Sequence, residues 1–561
     1  MELFRNKNWF LAVIATVLFA VMPAKAQVTI GSTDAPHQFS ILELISNESG
    51  LRLPQLNETE RDALKQELLT LNDVAAKGLV IFNTAINCVE FWSGEDWISL
   101  CQPSKPFLSV GPSNLIFDFR GKPAQNVTVI TTIPEGWTVE SGYPNWIEVS
   151  TESSNGIILT INATVNDGAE RDGVITIKAG TITETITIKQ LDELTMLGEG
   201  TVAEPYLILT PPQLDDVRNK PDAHYKVGRN IDISEYVAKW DNKGWLPIGN
   251  TDYPFTGSVD GDEYTISGLS IQRPESGIVN MGLFGLVDDG VIKNLKVELS
   301  GSINGGTGTY VGGLAGRITG ENAIVRNCQV LYGEIHGGNY IGGVVGRVDH
   351  GGLITGCYSS VLVIGSNGVG GIVGQVSSDA SVDRYGAVTN CYSNSDVRGT
   401  TGVGGVVGRL QRAGKVYNCY ATGPISRGAP STNANGNYIG GAVGRVDQDG
   451  IVTNCVALNS SVSTTFGFGI GRVTGSVDRG ALNSNYAQDM LLTNGDGTPK
   501  NPLDATATGL DGATITSANY ESESWWLNAS NWNTTSPVTA WDFTKIWKWD
   551  TANNRPILQW Q

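Results

Sequence analysis

One short phrase, written over and over between Met281 and Tyr486, constrains this chain more than any other feature. Val311-Gly312-Gly313-Leu314-Ala315-Gly316-Arg317 returns as Ile341 to Arg347, Val369 to Gln375, Val403 to Arg409 and Ile439 to Arg445. Weaker copies read at Met281 to Val287 and Phe466 to Arg472. Most copies are followed by an Asn-Cys-Tyr-like step, at Asn327-Cys328, Gly356-Cys357-Tyr358, Asn390-Cys391-Tyr392, Asn418-Cys419-Tyr420 and Asn454-Cys455. The Gly-Gly pairs are spaced by 30, 28, 34 and 36 residues, a period that belongs to repeat architectures. Each copy holds two or three short β runs between Gly-rich corners. One copy alone cannot bury both faces of its strands. Stacked as parallel rungs about 4.8 Å apart, the copies build a continuous core. The expected fold class is therefore all-β, with a parallel right-handed β-helix as its largest part.

The rest of the chain divides by pattern. Residues 1–26 read as a secretory signal, with Arg5 and Lys7, an apolar run from Trp9 to Met22, and Ala24-Lys25-Ala26 before the cut. No later segment is long and apolar enough to cross a bilayer as a helix. The protein is thus expected to be exported, at the cell surface or beyond it. Its net charge of -18 leaves nothing to neutralise phosphates, which argues against a nucleic-acid partner.

Residues 27–105 form a small α+β leader. Glu58 to Leu71 is a helix, with Thr59 placed to cap it and acids in its first turn. Gly78 to Asn83 is a strand, and Cys88 to Cys101 reads as a hairpin around Ser93-Gly94-Glu95-Asp96. If Trp92 faces Trp97, then Cys88 faces Cys101, with Cα atoms about 4.5–5.5 Å apart, inside disulfide range. Export favours that bridge. The residues Val28-Thr29-Ile30-Gly31, Gly50 to Leu56, Glu60 to Ala63, Lys77 to Thr84 and Phe91 to Gly94 resemble a leader of exported Bacteroidetes proteins and of some phage tail-fibre proteins. That resemblance implies an assembly or display context and no chemistry.

Residues 106–192 alternate in Asn126 to Ile130, Ile157 to Asn162, Gly173 to Lys178 and Ile182 to Ile188, the pattern of a small β-sandwich. Leu108-Ser109-Val110, Trp137-Thr138-Val139, Trp146 to Ser150, Asn166 to Gly173 and Ile186 to Gln190 resemble the BACON domain, an immunoglobulin-like module. Its association with carbohydrate makes Trp137 and Trp146 candidate sugar-stacking residues. Packing at the core or sheet edge is the plainer role for both.

From residue 198 to 561, the entry through Trp245 to Gly249, Pro254 to Gly257 and Tyr264 to Ile271, followed by the repeats, resembles GLUG-motif surface proteins. The resemblance implies an adhesin-like architecture rather than an activity. Cys328, Cys357, Cys391, Cys419 and Cys455 are expected as a ladder of buried free thiols, since rung spacing exceeds the roughly 3.8 Å between Cβ atoms of a disulfide. They lack the spacing and His partners of a zinc site, and neither a metal nor a cofactor is expected. The neighbouring Asn residues are expected to form an amide ladder.

The repeats also line up arginines: Arg317, Arg347, Arg409, Arg445 and Arg472, with Gln375 between. A row of guanidinium groups could read sulfates or carboxylates on a glycan. The plainer role is pairing with Asp349, Asp379 and Asp447. Two longer insertions, Ser377 to Tyr385 and Gly423 to Asn437, are expected to protrude as binding loops. The Trp-rich tail from about Thr514 is expected to cap the last rung.

With four His residues and no HExxH or Gly-x-Ser-x-Gly run, no catalytic constellation stands out. Asp260-Gly261-Asp262-Glu263 reads as a tight turn rather than a calcium loop. The expectation is a non-enzymatic binding protein that contacts glycan, or a host or bacterial surface protein, through solenoid corners. A polysaccharide lyase or glycoside hydrolase using Asp349, Asp379, Asp383 and Asp447 is the rival, and a spacer without ligand a third reading.

Overall fold

The computed structural model describes residues 51–71, 76–101, 106–151, 157–241, 243–274, 277–307, 310–378, 384–427, 438–464, 469–490, 492–493, 498–502 and 504–561, and the backbone of strands Val28–Ile30 and Leu42–Leu44. The signal segment, Asp379 and Asp383, and most of both insertions lie outside the described residues.

The leader pairs Gln55–Leu56, Val80–Asn83, Cys88–Trp92 and Trp97–Ser99 into one sheet under the helix Glu58–Leu71. Leu64 and Leu68 of the helix pack on Ile81, Trp92 and Trp97. The cap is Asn57, not Thr59. Its Oδ1 accepts from the Glu60 backbone N–H at 3.0 Å, and the Glu60 carboxylate accepts from the Asn57 N–H at 2.9 Å. That reciprocal box satisfies two of the helix's orphan donors, which Thr59, two residues further on, cannot do. In the hairpin Trp92 pairs with Trp97, and a disulfide joins Cys88 to Cys101 with Cα atoms 5.6 Å apart.

The sandwich has two four-stranded sheets around a core that includes Phe117, Leu159, Ile161, Ile175 and Ile186. Trp137 and Trp146 are half-buried against that core. The Arg171 guanidinium lies 4.6 Å from the Trp146 ring, and Gly173 leaves room for its edge. Both indoles are thus used in packing.

The remainder is a β-solenoid built from parallel sheets of ten, seven and seven strands and a larger fifteen-stranded sheet. Val311, Ile341, Val369, Val403, Ile439 and Ile470 pair in register down one column, all buried. The Gly-Gly corner is a matter of clearance. A Cβ on Gly342 would sit 2.0 Å from the Val345 carbonyl oxygen. The five ladder thiols are free and buried, and burial pushes those of Cys328, Cys391 and Cys455 above the ordinary thiol range. The Cys391 and Cys419 sulfurs accept the backbone N–H of Cys357 and Cys391 from the rung before.

The residue before each Cys answers to the backbone rather than to an amide ladder. Asn327, Gly356, Asn390, Asn418 and Asn454 all have φ between 53° and 62°. Gly and Asn are the residues that take this left-handed corner most readily. Among the described residues, side-chain amide bonds join two neighbouring pairs of this column, Asn327 to Asn294 at 3.2 Å and Asn454 to Asn418 at 3.0 Å. Asn390 Oδ1 has no partner among the described residues.

The Trp-rich tail does not cap the solenoid's end. Leu510 does that, its carbonyl accepting from Val473 and Thr474 of the last Gly-rich strand pair. After strand Ala513–Ile515 the chain turns back and lies along the solenoid's side. There Trp526, Trp532, Trp541 and Trp547 are buried against Tyr358, Tyr392, Tyr420 and Tyr486. The Tyr392 and Tyr420 rings stack at 4.8 Å. A column of aromatic side chains on one flank offers more apolar area than a single terminal rung, and the tail buries it.

Candidate binding face

The arginine column sits on the seven-stranded sheet from Phe284–Asp288 to Thr474–Asp478. Its outward positions run Leu286, Arg317, Arg347, Gln375, Arg409, Arg445 and Ser476. Within each strand the apolar residues two before and one after the arginine are buried. Ala315 and Ile318, or Val345 and Val348, are fully buried while the arginine side chains are 21–31% exposed.

Arg472 does not belong to this column. The last copy of the repeat runs from Ile470 to Ser476, four residues later than the spacing of Phe466 to Arg472 implies. Arg472 is fully buried beneath the final rungs. It donates to the carbonyls of Asp511 and Gly512 and to Thr514 Oγ1. Burial lowers its pKa against the opposing pull of Asp511. Its role is to tie the solenoid's end together.

The four remaining arginines form two clusters. Asp349, 2% exposed, sits between Arg317 and Arg347, each donating through Nε at 2.8 Å. Asp447, 3% exposed, sits between Arg409 and Arg445, with Nε contacts of 2.9 and 2.6 Å. Each cluster therefore carries one net positive charge. Sequence reasoning paired these residues but did not show that one acid serves two rungs. Burial works against the Arg347 charge, but Asp349 and the Tyr310 hydroxyl outweigh it and hold its pKa above the ordinary value. Between the clusters Gln375, although in the same column, is buried and donates to Gln411 at 3.0 Å.

A second outward column runs beside the first, on the seven-stranded sheet from Asn280–Met281 to Ile470–Gly471. Sequence reasoning missed it. It is the position before each Val/Ile-Gly-Gly: Asn280, Tyr310, Tyr340, Gly368, Gly402, Tyr438 and Gly469. Arg347 lies 5.2 Å from the Tyr310 ring and 5.6 Å from the Tyr340 ring, and donates to Tyr310 Oη at 3.0 Å. Arg445 lies 4.5 Å from the Tyr438 ring. The signal for this column was the Tyr that precedes three of the copies.

The face thus presents two cationic aromatic clusters, separated in the arginine column by the Gln375 rung and in the tyrosine column by the side-chain-free positions Gly368 and Gly402. Their centres are three rungs apart, about 14 Å. Among the described residues, Nη1 and Nη2 of Arg317, Arg409 and Arg445 have no protein partner. The acid grips each guanidinium by its Nε and leaves the outer fork free. A fork fixed in this way suits a carboxylate or sulfate, because its orientation is set before a ligand arrives. Asp349 and Asp447 are poor candidates for a hydrolytic pair. They lie about 14 Å apart by rung spacing, beyond the roughly 5–9.5 Å that paired glycosidic carboxylates use. Asp260 is held by Lys293 at 2.8 Å and Asn294 at 3.0 Å, and Asp262 by Lys226, as in a turn.

Three stretches match known families. Residues 29–114 match the "Phage tail like trimerisation region", residues 135–191 the BACON domain, described as "Putative binding domain, N-terminal", and residues 399–426 "The GLUG motif". A "Putative Gly-rich membrane protein" of Evansella cellulosilytica is 30% identical over 189 residues, covering 27% of this chain and 20% of that protein. "Halomucin" of Haloquadratum walsbyi is 34% identical over 163 residues, covering 28% of this chain and 2% of that protein. The chain thus spans only a small part of the length of these relatives. Together the matches suggest a surface-associated repeat protein. No helix among the described residues is long and apolar enough to cross a membrane.

Proposed function

We propose that this is an exported, non-enzymatic binding protein, and that its open arginine–tyrosine face engages acidic glycans on a host or bacterial surface. The observation that carries this reading is the set of guanidinium forks on Arg317, Arg409 and Arg445, oriented by buried acids and free at their outer ends. Two such clusters about 14 Å apart favour an extended, repeating anion over a single small one. The match of the leader to a trimerisation region supports a further part of the proposal. Three chains joined at their leaders would present three faces at once and gain avidity without new contacts.

Retention of the mature chain on immobilised chondroitin sulfate, compared with unsulfated chondroitin and a neutral glucan, tests the reading. The expected result is salt-sensitive retention on the sulfated matrix, reduced in the doubly substituted Arg317→Ala, Arg409→Ala protein. Equal retention of that variant would overturn it. The same polymers, incubated with the protein and assayed for new reducing ends and unsaturated products, are expected to remain intact. Light scattering of the mature chain, with a trimer mass expected, tests the assembly.

A further inference from the structure

At the head of the tyrosine column the face ends in a concavity of about 430 Å³, between the Leu246 to Tyr253 loop and the segment Gly277 to Asn280. We infer that this concavity is a binding pocket for an uncharged pyranose, independent of the arginine forks.

The first observation is an orphaned acceptor. Asn280 occupies the rung above Tyr310 and lines the cavity, yet it is only 7% exposed. Its Oδ1 has no hydrogen-bond partner among the described residues. A buried carbonyl oxygen left unpaired costs about 1–3 kcal/mol, so a structural role does not account for it. A ligand that donates a hydrogen bond does.

The second observation is the cavity's remaining chemistry. Arg218 lines it but is spent. Its guanidinium binds Asp215 and donates to the carbonyls of Pro247 at 3.2 Å and Leu246 at 2.9 Å. It props the wall and offers no free fork to an anion. The Asn250 Oδ1 is likewise used, accepting from the backbone of Asp252 and Tyr253 at 2.9 Å each. That turn fixes the loop, and the Asp252 carboxylate, which has no partner among the described residues, is a second acceptor. The pocket thus holds two acceptors, Asn280 Oδ1 and the Asp252 carboxylate, that a ligand's donors would satisfy.

The third observation is an apolar side. Tyr253 is 71% exposed, Val279 47% and Leu246 37%, all on the cavity rim. Three large exposed apolar side chains around polar acceptors match a pyranose, which has hydroxyl donors at its edge and a C–H face that packs on an aromatic ring. The volume is at the small end of the range for ligand pockets, room for one or two sugar units.

The placement extends the proposed function without resting on it. An acidic chain lying along the forks would meet this pocket at its end, but the pocket needs no charge on its ligand.

The test is saturation-transfer NMR on the mature chain, with methyl glucoside, methyl galactoside, methyl mannoside and N-acetylglucosamine as separate probes. Transfer to at least one probe is expected. Tyr253→Ala, at a site too exposed to unfold the protein, is expected to weaken it about 3- to 10-fold. Asn280→Leu is expected to abolish it while the thermal midpoint holds or rises, since the substitution removes an unpaired buried group. Arg317→Ala with Arg409→Ala is expected to leave it unchanged, so loss of chondroitin sulfate retention and loss of hexoside transfer fail separately. Absence of transfer to all four probes, transfer unaltered by both pocket substitutions, or a crystal structure showing only an ordered water on Asn280 Oδ1 would overturn the inference.

Discussion

The solenoid grows two aromatic columns, and it treats them in opposite ways. Tyr358, Tyr392, Tyr420 and Tyr486 lie under the C-terminal tail. Three of the four hydroxyls are consumed there: Tyr392 donates to Gln561 Oε1 at 2.7 Å, Tyr420 to the Pro556 carbonyl at 2.6 Å, and Tyr486 to the Asn531 carbonyl at 2.6 Å. Tyr310, Tyr340 and Tyr438 stand on another face with arginines beside them, and no segment among the described residues covers them. Both columns come from the same repeat. The difference teaches where to look for function on such a scaffold. A column whose rings are covered and whose hydroxyls are taken up by the covering segment is finished structure. A column whose neighbours keep oriented, unpaired donors is available to something outside the molecule.

Substitutions can break this contrast. The largest effect is expected on the covered side. Trp547→Ala removes a fully buried indole from among Tyr392, Tyr420 and Trp541, and a loss of about 3–5 kcal/mol is expected in denaturant unfolding. An unshifted midpoint would mean that the tail merely rests on the column.

Next comes Asp447→Ala, on the open side. It leaves Arg409 and Arg445 side by side without the acid that orients them. A loss of about 2 kcal/mol is expected, below the cost for a fully buried pair because both arginines are partly solvated. Chondroitin sulfate retention is expected to fall as well, although the net positive charge of the face has risen. Stronger retention would show that charge alone, and not the fixed fork, does the binding.

Gly356, whose carbonyl accepts from Trp560 at 3.1 Å beneath the tail, separates backbone from packing effects. Its φ of 62° predicts that Gly356→Asn is nearly neutral, as at the other four corners, while Gly356→Val costs about 1–2 kcal/mol. Equal melting temperatures for the two variants would remove the left-handed corner as the reason for Asn at this step. The smallest change in stability, under about 1 kcal/mol, is expected for Arg317→Ala with Arg409→Ala, because these are partly exposed pairs. A large loss of stability there would move the forks from the functional side of the comparison to the structural one.

Much of this was legible in the residues. A period near 30 with Gly-Gly corners and apolar pairs implies stacked rungs, because only stacking covers such short strands. The thiol ladder follows from the same register. The Cys88–Cys101 pairing could be read from hairpin arithmetic, since Trp92 and Trp97 set the phase. Other features were misjudged for physical reasons. Asn before Cys suggested side-chain stitching, yet Gly356 in the same position was the sign that φ, not the amide, was the constraint. Arg472 joined the arginine column on spacing alone, and a four-residue shift in the last copy instead places it in the interior. The Trp-rich tail was assigned to the solenoid's end because repeats need caps.

The amino-acid sequence by itself determined the local and periodic properties of this protein: which residues recur, hence which columns form, and which positions turn the chain. Those depend on neighbours along the chain and on a rung spacing common to all parallel sheets. Only the tertiary structure decided which column is covered, because the tail meets rungs more than 130 residues away, as Tyr420 meets Pro556. It also decided that one buried acid holds two arginines from successive rungs, and that Asn280 heads the tyrosine column with an acceptor that no described residue satisfies. Such arrangements depend on distances across rungs, which composition and spacing leave open and packing closes.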